Sequence, residues 1–405
     1  MAAFAVLALL LIAGLFFGRS QRVEPIRIGA LHSLTGTMAV SEQPLLDAEQ
    51  LAVEEINAAG GLLGHPVELV VADTHSDDRM AAREAARLIE REHVSALFAC
   101  WTSACRQAVR PVVESHRHLM FYPVQYEGLE QSPNIIYTGA VPNQQIIPGT
   151  RWAIEHLGKR VYLLGSDYFF PRAANRIIRD VTHAASATIL GERYLPLGQS
   201  DMAAVIADIR RLKPDVILNT INGDSNHALF AALRASELQK IPVMSFSVAE
   251  GELRGLLDES FHPNHYAVWS YFQSLPGKVN QTFVTRYRKR FGDQRVTSDP
   301  IVAAYGSVKL WANAVRETGS AEVEAVNRAV IWQSVATPAG PLVVDATTRH
   351  VWRSVRIGRA NPTGQFEQVY ASAEVRPAPF PDYRGLSEWR RMIAEIGDAL
   401  PKGAR

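Results

Sequence analysis

From Ile26 onward, apolar runs of strand length alternate with segments of helical periodicity, and the alternation runs through twice. The first run has strand-length segments at 26–31, 67–72, 96–99 and 119–122. Between the first two, residues 41–59 place Leu45, Ala48, Ala52 and Ile56 on one helical face, and Gly60-Gly61 stops the helix. The next helix turns Met80, Ala85, Leu88 and Ile89 inward. After Pro142 the pattern restarts, with helices at 144–156, 173–184, 202–212 and 227–235 and strands at 161–165, 188–195, 215–220 and 243–246. Such alternation calls for parallel sheets covered by helices on both faces. Two runs of it predict an α/β chain of two doubly wound lobes. The last third differs: consecutive helices at 279–291, 302–318 and 322–334 precede short strands at 342–344, 351–357 and 365–369. These helices need a surface to pack on, so the chain is expected to return to the first lobe. The proline-rich tail from Arg376 is expected to wrap the surface.

Composition removes several function classes. The 42 Lys and Arg nearly balance the 41 Asp and Glu, so nothing electrostatic favours a nucleic-acid partner. Two cysteines cannot make a disulfide scaffold or a multi-cysteine metal site. Cys100 and Cys105 are expected to be two small buried thiols, because their spacing across a strand-to-helix turn rarely allows bridging. Residues 2–18 carry no charged or polar side chain, a length just sufficient for a membrane span. Arg19 and Arg22 follow this run and no Lys or Arg precedes it, which opposes the charge bias of an exported C-terminus. No cysteine is placed for lipid attachment. The run is read as an uncleaved or poorly cleaved export anchor, the only membrane contact expected.

In open α/β sheets, ligands bind beyond the carboxyl ends of the strands. Four such ends are rich in aromatic and hydroxyl groups: Cys100-Trp101-Thr102-Ser103, Tyr122-Pro123-Val124-Gln125-Tyr126, Gly165 to Pro171, and Ser245 to Glu250. Ser103 is placed as a helix cap that turns its hydroxyl and the following amides to the cleft. Each residue has a plainer reading as well. Ser103 and Asp167 serve equally as simple caps, and Tyr122 and Phe170 as core. The case rests on four polar ends, two in each lobe. Enzyme motifs are absent: no glycine-rich dinucleotide turn follows the first strand, and there is no phosphate-binding loop and no Gly-x-Ser-x-Gly elbow. His32 ends the first strand and is read as a hydrogen-bonded rim residue rather than a base. No cofactor and no catalytic residue is expected.

Long motifs in this chain resemble the urea-binding subunit of bacterial ABC importers. They run from Ala30-Leu31-His32-Ser33-Leu34-Thr35-Gly36 through Cys100-Trp101-Thr102-Ser103 and Phe121-Tyr122-Pro123-Val124-Gln125-Tyr126-Glu127-Gly128. They continue in Gly165-Ser166-Asp167-Tyr168, Asn222-Gly223-Asp224-Ser225-Asn226, Ser245-Phe246-Ser247-Val248-Ala249-Glu250 and Tyr271-Phe272-Gln273-Ser274. The wider family is the type I periplasmic binding proteins. The resemblance implies two lobes joined by a three-crossover hinge and closing over a small ligand. It divides the chain into an export segment (1–25), lobe 1 (26–142 and 274–345), lobe 2 (143–273 and 346–375) and a tail (376–405). It further implies that Trp101, Thr102, Ser103, Tyr122, Gln125, Tyr168, Phe170, Glu250 and Tyr271 line the cleft. Gly251 and Cys105 depart from the pattern, standing where an acidic and a small hydroxyl residue are expected.

The expected function is capture of urea or a related short-chain amide outside the cytoplasm, for delivery to ABC permease subunits. Two alternatives stay open: an amide- or amino-acid-responsive sensor of the same fold, and an amino acid as ligand. An amino acid's ammonium would pair with Glu250, whereas with urea Glu250 needs another partner. Arg254, one turn on, is the expected one.

Overall fold

The computed structural model describes residues 23–255 and 263–400. The apolar run at 2–18 lies outside the described residues. Five parallel strands, β1 (Ile26–His32), β2 (Val67–Asp73), β3 (Leu97–Ala99), β4 (Met120–Tyr122) and β5 (Ile135–Tyr137), form the first sheet in the order β2-β1-β3-β4-β5. The second sheet is built from β6 (Arg160–Ser166), β7 (Thr188–Leu195), β8 (Val216–Thr220), β9 (Val243–Ser245) and β10 (His265–Trp269). Its parallel part has the order β7-β6-β8-β9-β10, the same winding as the first. The molecule is thus an α/β protein of two doubly wound lobes.

The helix Ala39–Ala58 buries the predicted stripe, with Leu45, Ala48 and Ala52 fully buried and Ile56 nearly so. Gly61 ends its turn at φ 78°, where an added Cβ would lie 2.1 Å from the His65 carbonyl oxygen, so no other residue fits. The helices Lys278–Phe291 and Asp299–Thr318 do return to the first lobe. Phe283, Tyr287 and Ile301 join the core on one face of its sheet, and Val308, Trp311 and Val315 the core on the other.

Then β11 (Ser334–Thr337), β12 (Gly340–Val344), β13 (Val351–Ala360) and β14 (Phe366–Val375) run antiparallel. β13 pairs with β10 and so joins the second sheet. Leu342 and Val344 of β12 remain in the first-lobe core. The last passage between the lobes is therefore a hydrogen-bonded ribbon.

Several local expectations need correction. The helix predicted at 322–334 ends as α-helix at Ala329, and a 3-10 turn, Val330–Trp332, leads into β11. The helix predicted from 173 begins at Phe169, because Pro171 is tolerated in a first turn. The tail does not only wrap the surface. It ends in the helix Leu386–Ala399, whose Trp389, Met392 and Ile396 are buried in the second-lobe core. Cys100 and Cys105 are not free thiols but a disulfide. Cys100 adopts φ 69° at the strand end, which folds the first helical turn back and brings the two Cα atoms to 5.7 Å, within bridging range. No helix among the described residues is long and apolar enough to cross a membrane.

Candidate functional site

In each sheet the strand order reverses beside its first strand, and a crevice opens there beyond the carboxyl ends. The two crevices face one another. Trp101, just past β3, donates its indole N–H to Asn222 Oδ1 at 3.2 Å, just past β8. The Asn222 amide is in turn fixed on Ser166 Oγ at 3.0 Å, at the end of β6. Further contacts close the rim. Ser41 Oγ donates to Glu252 Oε1 at 2.8 Å between the lobes. Gly223, at φ 67°, has room for no more than a light contact with the Thr37 carbonyl, 3.2 Å from where a Cβ would stand. Gln125 Nε2 reaches the Phe246 carbonyl at 3.1 Å and Ser247 Oγ at 3.2 Å. A cavity of about 380 Å³ lies between Val40, Ser41 and Trp101 on one side and Gly251 and Glu252 on the other.

The helix Ser103–Ser115 is capped by Thr102, whose hydroxyl accepts from the Cys105 amide at 3.0 Å. This corrects the expectation that Ser103 is the cap. Ser103 lies one residue inside the helix, so its hydroxyl points away from the terminal amides. It donates to Glu127 Oε2 at 2.5 Å and accepts from Arg106 at 3.1 Å. Asp167 is not a cap either: it accepts from Arg172 at 2.7 Å, and Tyr168 occupies the cap position.

Beneath Ser103 lies a network that the sequence reading missed. Arg106, fully buried, binds Glu127 at 2.7 Å and Glu130 at 3.0 Å. Its guanidinium sits 4.8 Å and 4.3 Å from the Tyr122 and Tyr126 ring centres. Tyr122 donates its hydroxyl to the Trp101 carbonyl at 2.5 Å. Tyr168 and Phe170 are buried side by side at the start of the second-lobe helix, ring centres 6.4 Å apart. Burial pushes the Tyr168 hydroxyl well above its ordinary range, with Tyr122 and Glu127 adding to the effect.

His32 is fully buried rather than at a rim. Its Nε2 meets Glu49 at 2.9 Å, and its Nδ1 lies 3.6 Å from Glu42. Burial opposes its charge, but attraction to Glu49 and bonding to Glu42 win, and the imidazole is held at about 10. Asp78 is pushed up to about 6 by burial, with Asp77 and Glu42 adding to it.

Glu250 opens the helix Glu250–Arg254, fully buried. Its Oε1 accepts from the Gln273 amide at 2.7 Å, and its Oε2 has no hydrogen-bond partner. Burial pushes its carboxyl up to about 8. The expected Glu250–Arg254 pair does not form: Arg254 Nη2 binds Gln294 Oε1 at 3.1 Å, because the helix start points inward and its end outward. Tyr271 gives its hydroxyl to Asn280 Oδ1 at 2.7 Å and is buried in the first-lobe core. Of the nine residues, Trp101, Thr102, Ser103, Tyr122, Tyr168 and Phe170 therefore stand at the strand ends that face one another. Gln125 lies at the Phe246 carbonyl, and Glu250 and Tyr271 stand together beside Gln273.

Residues 26–385 match the model of the periplasmic binding protein domain. The chain belongs to the periplasmic binding protein family. A curated relative is a Leu/Ile/Val-binding protein homolog of Brucella suis, 25% identical over 347 residues, covering 79% of this chain and 84% of that one. A limonene hydroxylase of Geobacillus stearothermophilus is 30% identical over 122 residues, and this match covers 30% of the periplasmic binding protein and only 22% of the hydroxylase. Among solved structures, a solute-binding protein of an ABC transporter from R. palustris, in complex with 4-hydroxybenzoate, superposes with a TM-score of 0.79 at 21% identity. That match covers 87% of this chain and 98% of the other, and it shows the shared fold.

Proposed function

We propose that this periplasmic binding protein captures urea or a closely related short-chain amide between its lobes and delivers it to ABC permease subunits. The observation that carries the reading is a surplus of buried acceptors. Gln125 and Gln145 both donate to the Phe246 carbonyl at 3.1 Å, which turns their oxygens elsewhere. Gln125 Oε1, Gln145 Oε1 and Asp299 Oδ1 are buried acceptors without a hydrogen-bond partner, and Glu250, which burial keeps protonated at neutral pH, has an unpartnered hydroxyl at Oε2. A buried acceptor left unmade is costly, so a ligand rich in N–H groups is favoured. Urea has four N–H donors and one strong acceptor. Its oxygen suits the Ser103 and Ala104 amides at the start of the helix Ser103–Ser115, since the Cys105 amide is taken by the Thr102 cap.

Charge also supports a neutral ligand. The buried cations near the cleft are already matched: Arg106 by Glu127 and Glu130, His32 by Glu49 and Glu42, and Arg353 by Asp299. A ligand carboxylate would meet no free partner among them. The names of the curated relatives favour an amino acid instead, whose ammonium would suit Glu250. Trp101, Thr102, Ser103, Tyr122, Gln125, Tyr168, Phe170, Glu250 and Tyr271 are assigned to line or shape the cleft, with Tyr122 and Tyr271 acting through their rings. Residues 2–18 are assigned as the export or anchor segment.

Calorimetry with urea, acetamide, formamide, leucine and glutamate tests the reading. Urea should bind most tightly and the amino acids not at all. Glu250→Ala should weaken urea binding about tenfold or more. Saturable heat with leucine and silence with urea would replace the ligand and leave the fold untouched.

A further inference from the structure

The Cys100–Cys105 disulfide encloses Trp101, Thr102, Ser103 and Ala104, and three of these are cleft residues. Everything this turn presents depends on its shape. Thr102 caps the helix from inside the loop, Tyr122 holds the Trp101 carbonyl, and the Trp101 indole spans the cleft to Asn222. The turn starts from Cys100 at φ 69°, a conformation that residues with a side chain adopt uncommonly. Both cysteines are buried in the apolar core of the first lobe.

A cross-link stabilises a fold chiefly by shortening the unfolded chain's excursions, and that gain grows with the length of loop enclosed. A five-residue separation lies at the short end of that scale. A bridge of this size contributes at the low end of the usual disulfide range, and it also acts on local geometry. It fixes the left-handed residue and with it the direction in which Trp101 leaves the strand.

We propose that the Cys100–Cys105 disulfide is a redox lock on the ligand turn, which retains ligand tightly only in the oxidised state. A dithiol reductant would break the S–S bond by thiolate attack. Two electrons and two protons would leave two cysteine thiols, and the dithiol would close to its own cyclic disulfide. Cys100 could then relax toward ordinary backbone angles, swinging Trp101 away from Asn222. The proposal rests on the cleft assigned above, but it does not depend on urea being the ligand.

The experiment compares oxidised protein with protein reduced by dithiothreitol, the two thiols being counted after denaturation. The Cys105→Ser and Cys100→Ala/Cys105→Ser variants serve as permanently open forms. Urea titration by calorimetry should show affinity about tenfold lower or worse in the open forms, while guanidinium unfolding stays cooperative and its midpoint falls by no more than so short a cross-link accounts for. Amide exchange should quicken at 100–106 and not elsewhere. Equal affinity and equal exchange in both states would overturn the lock. Global unfolding on reduction would overturn it too, since the bridge would then be a staple for the whole lobe. If oxidised protein gives no heat with urea, the ligand assignment fails, and exchange at 100–106 alone decides the lock.

Discussion

Replacing Arg106 with methionine should cost about 3–5 kcal/mol of folding stability at neutral pH, the usual range when one partner of a buried ion pair is removed. The two carboxylates do not share the loss equally. Glu130 keeps Arg110 at 2.9 Å and the Tyr137 hydroxyl at 2.8 Å. Glu127 keeps the Ser103 hydroxyl but no cation. In the native chain burial pushes Glu127 up, and Arg106 pulls it back. Without Arg106 only the Ser103 and backbone hydrogen bonds oppose the upward push. The folded variant then holds a proton on Glu127 more tightly than the unfolded chain does, so its stability rises as pH falls. The gap between variant and native protein should therefore be widest at pH about 7.5 and shrink toward pH about 5. Guanidinium chloride is the denaturant of choice, because urea is the proposed ligand. A loss under about 1 kcal/mol, or a gap constant across that range, would refute the view that Arg106 chiefly offsets buried negative charge. Glu127→Gln, which leaves Arg106 with Glu130, should cost less than Arg106→Met and show a weaker pH dependence.

Glu250 gives a second pH test. Its carboxyl is raised to about 8 by burial, so the folded state binds its proton more tightly than the unfolded chain, and stability falls as pH rises from the ordinary carboxylate range toward 8. Glu250→Gln should flatten that decline in guanidinium unfolding curves, and an unchanged slope would mean that Glu250 is ionised in the fold. At the rim, Ser41→Ala removes the 2.8 Å bond to Glu252 and leaves a buried carboxylate oxygen short of a partner. Urea dissociation should quicken about tenfold in stopped-flow fluorescence while association changes little. An unchanged dissociation rate would show that the lobes are held shut by other contacts.

Much of the architecture was legible because it rests on local periodicity. The stripe Leu45, Ala48, Ala52 and Ile56 needs no knowledge of the partner surface, and it is buried as the spacing requires. The return of the helices after 278 followed from the need to cover an apolar face. What escaped was non-local or conformational. Arg106, Glu127 and Glu130 look like surface charge in sequence, and only the fold brings residues 21 and 24 positions apart into contact. Ser41 and Glu252 are 211 positions apart. The disulfide was missed because spacing alone does not reveal a left-handed Cys100. The closing helix was overlooked for another reason: Pro377, Pro379 and Pro381 dominate the reading of the tail, although Trp389, Met392 and Ile396 already stand at helical spacing.

In the function proposed above, closure and ligand choice share a physical root. In the proposed closure, bringing the lobes together would remove water from Trp101, Gln125 and Asn222, which make interlobe contacts and are buried. That desolvation is tolerable for Trp101 and Asn222, which satisfy each other at 3.2 Å. It is unfavourable for Gln125 Oε1 and Gln145 Oε1, which are buried without a protein donor. A ligand shifts an equilibrium only by binding one state better than the other. Donors brought to those oxygens count most in the closed state, where no water competes for them. Net charge on the ligand would work the other way, because the nearby buried cations are already neutralised and a carboxylate would enter uncompensated. Under the proposed function, a small neutral molecule with several N–H groups is thus the chemistry that would favour the closed form over the open one.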